Sequence, residues 1–431
     1  MVASAFRRIV TELPVPESIP ILDVINRFEP RLRAQMPTVW DRAEGAQVHD
    51  GYGNVWLDWT SGILTANAGH SAPQVVDAVV EQAKHGVLHS YRFPSRIKAE
   101  YLSALSRLTN FESPVLASTG SEAVEIAMKI ALEKGRKNDR DSFISFDGAF
   151  HGSTMATTAL SGIPDAASSF PIDHGRFNHL PYPGAESSPP PTMKSFEDQL
   201  HARFVDVNRI AAVFFEPYLS ISLEIADRSF MQQLAIWCSD HDILLVADEV
   251  QSGFGRTGTF FAHEQLGIVP DLVCVSKALS GSLPLAAVLC RSADLLRYSS
   301  GSLYTTHSGN PLALAAGLAT AELYADGSLV EHARQVSLVF QGGLSALAAN
   351  HPRHISRARG WGMVGGLFVA NEDASKAHML VEQAWRRGLL LLAPITVASV
   401  MIKAAPPLVT TEDQLLDGIG VLEEVLAELA S

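Results

Sequence analysis

The sequence has little cysteine, no long apolar run and no secretory leader. Its three cysteines, Cys238, Cys274 and Cys290, stand among apolar residues, so we expect buried free thiols rather than a disulfide framework or a metal cluster. No apolar run approaches the length of a membrane-spanning helix, and residues 1–8 lack the apolar core of a secretory signal. These absences predict a cytoplasmic protein with no metal and no membrane partner.

Positive charge is also scarce, with 33 lysines and arginines against 46 aspartates and glutamates and a net charge of −13. This balance argues against nucleic acid as a partner. The sequence contains no Gly-Lys dipeptide, which excludes the phosphate-binding loop of P-loop nucleotide hydrolases. Residues 253–258 match G-x-G-x-x-G, but the strand before them ends in Asp-Glu instead of opening directly onto a helix. A lone glycine match of this kind is weak support for a dinucleotide.

The most informative stretch runs from residue 243 to residue 282 and contains two apolar segments. The first segment predicts a buried parallel strand that delivers Asp248 to a site, and the second delivers Lys277. A desolvated lysine can attack an aldehyde to form a Schiff base, and a carboxylate can keep a pyridine nitrogen protonated. The pair therefore suits pyridoxal phosphate (PLP), although a structural Asp–Lys pair remains the alternative.

A phosphate site is indicated where a short strand, 115–118, leads into a strong helix. Thr119, Gly120 and Ser121 open that helix, and free N–H groups at a helix start attract a phosphate. The same residues would also serve as a plain N-cap. The local sequence is compatible with both a phosphate site and a plain N-cap.

Two further apolar strands are predicted, and functional side chains follow them as well. Residues 142–146 lead to Phe150 and His151, and residues 210–215 end at Glu216. Phe150 could stack on a planar ring or belong to the core. Because the candidate residues all follow strand ends, the pattern predicts an α/β fold with a doubly wound, mostly parallel sheet.

The sequence also predicts several domains and further elements outside that sheet. The length of 431 residues predicts two or three domains, for which we expect the boundaries 1–70, 71–315 and 316–431. Outside the sheet, the patterns predict a hairpin, a long surface excursion, several helices and a C-terminal α+β domain. These predicted elements are hairpin 48–57, helix 73–85, excursion 161–192, helix 230–240, a long helix from 312, strand 363–369, helix 375–387, strand 400–404 and a helix from 411.

From about residue 30 to the C-terminus the chain resembles class III (ω-amino acid type) aminotransferases of PLP fold type I. The motifs that carry the resemblance are Thr-Gly-Ser-Glu-Ala (119–123), Phe-His-Gly (150–152), Glu-Pro (216–217), Asp-Glu-Val-Gln-Ser-Gly-Phe-Gly-Arg-Thr-Gly (248–258), Pro-Asp (270–271), Ser-Lys-Ala-Leu (276–279), Thr-His-Ser-Gly-Asn-Pro (306–311) and Pro-Pro-Leu (406–408). The resemblance implies a large domain with the parallel sheet, a smaller α+β domain, and PLP as the cofactor.

The resemblance assigns catalysis to two residues. It implies that Lys277 forms the Schiff base with PLP and shuttles a proton, and that Asp248 pairs with the pyridine nitrogen. Around the ring, Gln251 would approach the hydroxyl, while Phe150 and Val250 would cover the two faces.

The resemblance also implies how the phosphate is held. Gly120 and Ser121 would bind it together with Thr306 of the partner subunit, which implies a homodimer with shared active sites and leaves a tetramer open. His151 and Glu216 would lie near the cofactor.

Substrate recognition departs from the family pattern at three positions. Relatives that use 2-oxoglutarate commonly have arginine, glutamate and arginine where this chain has Ser153, Ile221 and Lys403. Lysine offers a point charge instead of a bidentate fork, so we expect weakened dicarboxylate recognition. The expected substrate residues are Ile63, Tyr91, Arg92, Phe93 and Lys403.

The leading hypothesis is an aminotransferase that moves an amino group from an amine or amino acid to an oxo acid or other carbonyl. Residues 57–62 and 304–307 are similar to segments of dialkylglycine decarboxylase, but Ile63 and Phe150 replace its glutamine and tryptophan. A decarboxylase or an amino acid epimerase on the same fold is the enzymatic alternative. A PLP-binding protein without turnover is the third hypothesis.

Overall fold

The computed structural model describes residues 2–29, 36–163, 174–297, 303–393 and 400–430. The strands, in chain order, are β1 (Val2–Ala3), β2 (Arg8–Ile9), β3 (Arg42–Glu44), β4 (Gln47–His49), β5 (Val55–Asp58), β6 (Ser113–Ala117), β7 (Ser142–Phe146), β8 (Phe177–Leu180), β9 (Ile210–Phe215), β10 (Leu244–Asp248), β11 (Leu272–Val275), β12 (Ala286–Cys290), β13 (Ile355–Trp361), β14 (Val364–Val369), β15 (Leu389–Leu390) and β16 (Met401–Ala404).

The right-handed α-helices are α1 (Ile19–Phe28), α2 (Pro73–His85), α3 (Arg96–Thr109), α4 (Gly120–Gly135), α5 (Met155–Leu160), α6 (Met193–Ala202), α7 (Arg228–Asp240), α8 (Ala262–Leu266), α9 (Pro311–Tyr324), α10 (Ser328–Asn350), α11 (Ala374–Arg386) and α12 (Glu412–Ala430). None of the helices in the described part of the chain is both long and apolar enough to cross a membrane.

The chain forms two compact units. The central unit contains residues 73–255 and 259–326, and the terminal unit contains residues 1–72, 256–258 and 327–431. The terminal unit is thus assembled from both ends of the sequence and one short internal segment.

A seven-stranded sheet organises the central unit, in the order β6-β12-β11-β10-β9-β7-β8. Neighbouring strands from β11 to β8 are parallel, and only β12 runs antiparallel to its neighbours. Every residue of β9, β10 and β12 is buried, as expected for strands covered on both faces. The prediction of a doubly wound, mostly parallel sheet is confirmed.

Helix α4 packs on one face of this sheet because its apolar residues recur at helical spacing. Ala123, Ile126, Ala127 and Ile130 are buried in the same core cluster as strand residues such as Val246. The helix and the strands therefore bury their apolar faces against each other.

One strand of this sheet lies inside the stretch predicted as a surface excursion. Strand β8 pairs in parallel with β7 at the edge of the sheet, so the prediction for residues 161–192 is wrong at this point. The strand has polar Asn178 and His179 and little apolar sequence, which explains why its pattern is weak. Residues 164–173 of the excursion lie outside the described residues.

The terminal unit contains two sheets. The N-terminal sheet has the order β1-β2-β5-β4-β3, and β15 pairs in parallel with β5. The predicted hairpin is confirmed by the antiparallel pairing of β4 with β5. The second sheet, β13-β14-β16, is antiparallel and confirms the predicted strands near 363–369 and 400–404.

Strand β13 was not predicted from the sequence. Its arginines obscure the apolar pattern, and the Arg357 guanidinium carbon lies 4.3 Å from the centroid of the Phe368 ring on the neighbouring strand. The ring–guanidinium contact lets a polar side chain cover an apolar one on the sheet surface.

A strained turn follows β5 in the terminal unit. Ser61–Leu64 forms one helical turn in which all four residues have positive φ, including 63° at Ile63. A left-handed turn costs about 1–2 kcal/mol per non-glycine residue. The buried Asp58 carboxylate holds this region by accepting hydrogen bonds from the N–H and hydroxyl of Thr60, the N–H of Gly62 and the ring of His70.

Helix α12 packs closely on Trp59 in the terminal unit. Trp59 is fully buried, and a Cβ atom added to Gly418 would lie 2.2 Å from its indole ring. A Cβ atom added to Gly420, two residues farther along the same helix, would contact nothing within 4 Å. The two glycines therefore have different roles on one helix.

We expect the Gly418→Ala substitution to lower the free energy of unfolding by about 1–3 kcal/mol, because the added methyl group overpacks Trp59. The Gly420→Ala substitution should raise it by about 0.5–1 kcal/mol, because alanine favours the helix. Thermal unfolding of both variants at one scan rate measures the difference. Equal shifts in the two variants would contradict the close packing at Gly418.

Candidate functional site

The candidate functional residues that follow the strands of the central unit lie at one edge of its sheet. Strands β7, β9, β10 and β11 are parallel, so their carboxyl ends meet there. Strand β6 points the same way, because it is antiparallel to β12 and β12 is antiparallel to β11. This arrangement places the loops that follow all five strands along one edge.

Lys277 begins a single 3-10 turn directly after β11 and Ser276. Its φ of 33° lies in the left-handed region, which is unfavourable for a side chain of this size. The Ser276 hydroxyl donates a hydrogen bond to the carbonyl of Leu285 at 3.1 Å, which ties this turn to the start of β12. The strained conformation is therefore held by its surroundings.

The electrostatic setting of Lys277 has two opposing parts. Although the residue as a whole is only partly buried, desolvation lowers the pKa of its amine below the ordinary lysine value. The carboxylates of Asp248 and Glu216 act in the opposite direction and raise it. An amine with a lowered pKa more readily loses its proton and becomes nucleophilic.

Asp248 ends β10 and is anchored by His151. The Nδ1 atom of His151 lies 2.8 Å from a carboxylate oxygen of Asp248, and both side chains are almost inaccessible to solvent. The other carboxylate oxygen accepts a hydrogen bond from the N–H of Val250. The Nε2 atom of His151 is buried and has no hydrogen-bond partner among the described residues.

Glu216 follows β9 and is 4% exposed. One carboxylate oxygen accepts the N–H of Phe150 at 2.9 Å, and the other accepts the N–H of Ser220 at 3.2 Å. Burial raises the pKa of Glu216 to about 7; His151 opposes this increase and Asp248 adds to it.

The start of α4 combines a capping box with two half-buried residues, Gly120 and Ser121, at the first helical positions. Thr119 accepts the N–H of Glu122, whose carboxylate accepts the N–H groups of Ser118 and Thr119. Gly120 and Ser121 are the first two helical residues, whose N–H groups have no partner within an α-helix. The N-cap is therefore present, and it leaves the positive end of the helix able to bind an anion.

Two glycines allow neighbouring residues to pack closely against the start of this helix. A Cβ atom on Gly152, whose φ is 133°, would lie 2.4 Å from the Ser121 hydroxyl oxygen. The same hydroxyl accepts the N–H of Ser153 at 3.1 Å. A Cβ atom on Gly120 would lie 3.0 Å from the Val250 side chain. Glycine at these two positions lets the loop after β7 and the side chain of Val250, in the loop after β10, lie close to α4.

The remaining expected cofactor residues lie in the same loops. Phe150 is 39% exposed while its backbone is anchored by Glu216. Val250 packs against the core beneath the sheet edge. The Tyr218 hydroxyl lies 3.5 Å from the carbonyl oxygen of Gln251.

Glu249, the acid next to Asp248, has a different role. It is fully buried and accepts hydrogen bonds from the hydroxyl of Ser252 and from the N–H groups of Ala262 and His263, and it contacts the ring of His263. Glu249 therefore closes the loop between β10 and α8 instead of facing a ligand.

The expected substrate residues fall into three places. Tyr91, Arg92 and Phe93 lie between α2 and α3 in the central unit, where the Arg92 guanidinium carbon lies 5.4 Å from the Tyr91 ring centroid. Ile63 lies on the strained turn of the terminal unit and is 50% exposed. Lys403 lies in β16 and is only 5% exposed.

Thr306 is exposed in a turn before α9. The neighbouring Thr305 N–H donates to the hydroxyl of Ser308, and the Ser308 N–H donates back to the carbonyl of Thr305. This pair of bonds fixes the turn that presents Thr306.

Several site residues were not identified from the sequence. Ser161 accepts the N–H of His151 through its hydroxyl at 2.8 Å, and the Tyr182 hydroxyl donates to the carbonyl of Glu216 at 2.9 Å. The pairing of His151 with Asp248, 97 residues apart, was not predicted either. A single sequence has no local signal for contacts of this separation.

The residues present fit pyridoxal phosphate. The site supplies an amine with lowered pKa, a buried carboxylate fixed by a histidine, and a helix start open to a phosphate. Phe150 and Val250 supply apolar surface for a planar ring. The aldehyde, the ring nitrogen, the ring faces and the phosphate of the cofactor would therefore each meet a suitable side chain or backbone group at this sheet edge.

Comparison with known proteins agrees with this cofactor. The family model for class-III aminotransferases matches residues 29–426. The chain is 34% identical to a 2-aminoadipate transaminase of Pseudomonas putida, over 91% of this chain and 96% of the relative. It is also 34% identical to the 5-aminovalerate aminotransferase DavT of Pseudomonas aeruginosa, over 91% and 94% of the two chains.

Solved structures show the same fold. The crystal structure of an acetylornithine aminotransferase from Elizabethkingia anophelis superposes with a TM-score of 0.81 at 28% identity, covering 95% of this chain and 99% of the other. These matches confirm the predicted fold type I, the cofactor and the transfer of amino groups. The chain belongs to the class III aminotransferases and is a transaminase that depends on pyridoxal phosphate.

Proposed function

We propose that Lys277 and Asp248 are the catalytic residues and that the cofactor site contains Gly120, Ser121, Phe150, His151, Glu216, Val250 and Gln251, with Thr306 of the partner subunit. The observation that carries this proposal is the convergence of Lys277, Asp248 and Glu216 on one sheet edge, where both acids raise the pKa of the amine against desolvation. Titratable groups that shift one another's pKa at a sheet edge are typical of a catalytic site.

The cofactor and the protein residues have different roles in the reaction. When bound, pyridoxal phosphate supplies an electron-accepting ring that stabilises negative charge on the substrate carbon. Asp248, fixed by His151, would hold the protonated ring nitrogen of the cofactor. The Nζ atom of Lys277 would hold the cofactor's aldehyde carbon and would serve as the base and acid for the proton at the substrate Cα.

The donor is an amine or amino acid and the acceptor an oxo acid or another carbonyl. The relatives are named for 2-aminoadipate and 5-aminovalerate, which supports amino acids as donors. Ser153, Ile221 and Lys403 stand where the resemblance leads us to expect charged groups that bind a distal carboxylate. We therefore infer that this chain binds a second carboxylate weakly, through Lys403. Ile63, Tyr91, Arg92 and Phe93 are the other residues that we propose for substrate recognition.

The working form is a cytoplasmic homodimer with shared sites. The central unit exposes Val76, Val80, Leu88 and Phe93, with 76% of Phe93 accessible. Val76 and Val80 are one helical turn apart, so they form part of one apolar face, which supports contact with a second copy. The three buried free thiols support a reducing compartment.

A half-reaction screen tests the assignment of Lys277. The purified enzyme is mixed with panels of amines, ω-amino acids and α-amino acids, and conversion of the cofactor to its amine form is followed by absorbance. We expect the Lys277→Arg substitution to abolish conversion for every donor, because arginine keeps the charge but provides no free amine. The Lys194→Ala substitution is the control, because Lys194 pairs with Asp198 on the surface. Undiminished conversion by the Lys277→Arg variant would refute the assignment.

Substitutions at Lys403 test the recognition of a carboxylate. We expect Lys403→Ala to raise KM for acidic substrates by about ten- to hundredfold and to leave KM for simple amines unchanged, because a charge-assisted hydrogen bond is lost. Lys403→Arg should lower KM for the same acidic substrates. The matched control is Lys376→Ala, which removes a half-buried lysine of the same unit whose Nζ atom lies 3.5 Å from the Arg353 carbonyl. Equal changes for acidic substrates and amines would rule out this role.

A further inference from the structure

The carboxylate of Glu216 connects two loops at the sheet edge. It accepts the N–H of Phe150 in the loop after β7 and the N–H of Ser220 in the loop after β9. Its own carbonyl accepts the hydroxyl of Tyr182, so the residue is fixed at its backbone as well. One buried side chain thereby sets the distance between the two loops.

The backbone around Phe150 is anchored at two consecutive residues. Glu216 holds the N–H of Phe150, and Ser161 holds the N–H of His151. The ring of His151 is held in turn by Asp248. Phe150 itself is 39% exposed.

Both hydrogen bonds require acceptor oxygens on Glu216. An ionised carboxylate has only acceptors, whereas a protonated one turns one oxygen into a donor and cannot satisfy both N–H groups equally. The groups that act electrostatically on Glu216 are His151, Asp248 and Lys277, and Tyr182 contacts its backbone. A bound cofactor next to Phe150 would depend on this local arrangement.

We propose that Glu216 is a positioning residue that holds the Phe150 ring against the face of the cofactor. This inference rests on the proposed stacking of Phe150, and it adds the means by which the ring is placed. Glu216 acts through the backbone of Phe150, without contacting the ring face of the cofactor. The neighbouring acid Glu249 offers a contrast, because its described hydrogen bonds hold only the loop that leads to α8.

A double-mutant cycle measures this connection. The dissociation constant of PLP is determined by titrating the apo-protein of the wild type, Phe150→Ala, Glu216→Ala and the double variant. We expect Phe150→Ala to weaken PLP binding about tenfold, since ring stacking is lost, and Glu216→Ala to weaken it about three- to tenfold. In the Phe150→Ala background, Glu216→Ala should have no further effect.

Two variants control for general damage. Glu216→Gln keeps one acceptor oxygen, so it should bind PLP with an affinity between those of the wild type and Glu216→Ala. Glu331→Ala removes a surface glutamate that pairs with Arg334 in the terminal unit, and it should bind PLP as the wild type does. If Glu216→Ala does not fold, the cycle is carried out with Glu216→Gln.

The outcomes separate this inference from the proposed function. Unchanged PLP affinity in Phe150→Ala would refute the stacking role itself. If Phe150→Ala weakens binding but Glu216→Ala does not, or if the two effects simply add, the positioning role is wrong while the stacking role stands. Loss of the Glu216 effect in the Phe150→Ala background supports positioning.

The stability of the apo-protein should depend on pH because the Glu216 carboxylate gains or loses its proton. Because the folded-state pKa of Glu216 is about 7, above the usual 4.5, its contribution to stability is present at low pH and is lost as pH rises through 7. Glu216→Gln removes this loss, so the variant should gain thermal stability relative to the wild type as pH rises from 5 to 8. A constant difference between the two proteins across this range would show that Glu216 does not titrate there.

Discussion

The site depends on keeping charged groups away from water at the carboxyl edge of a parallel sheet. Burying a carboxylate is costly unless hydrogen bonds compensate for lost hydration. Asp248 obtains that compensation from His151 and from the Val250 N–H, and Glu216 obtains it from two backbone N–H groups. The strand ends must therefore lie in one register, because a displaced strand would leave one of these groups buried without a partner.

Hydrogen bonds also compensate for the burial of charges that serve the fold. Glu249 and Arg256 are as deeply buried as Asp248, yet their hydrogen bonds are directed to loops and carbonyls of the fold. Arg256 donates to the carbonyls of Met363 and Pro406 within the terminal unit. Asp248 is as well compensated, by His151 and by the N–H of Val250. Burial alone therefore does not separate a candidate site carboxylate from a structural one; its position at the carboxyl edge of the sheet does.

The sequence alone predicted the parts of the molecule that depend on local pattern. Apolar runs located strand β10, which ends at Asp248, and strand β11, which comes shortly before Lys277. The helix start at Gly120 followed from its small and hydroxyl residues. Edge strand β8 and the arginine-containing β13 were missed, because partners elsewhere in the chain stabilise them. The contacts of Ser161 and Tyr182 were missed for the same reason: long-range hydrogen bonds depend on how the loops fold, which periodicity does not encode.

Local sequence preference and structure disagree most clearly at Lys277 and Ile63. Both are non-glycine residues in the left-handed region, with φ of 33° and 63°. Such strain persists only where the surroundings determine the conformation, and it concentrates at functional positions. At Lys277 the adjacent Ser276 is bonded to Leu285, and near Ile63 the buried Asp58 accepts four hydrogen bonds. Since the sequence motifs independently selected these two residues, the strain supports the hypothesis that each holds a reactive or substrate-facing side chain in a fixed, unfavourable conformation.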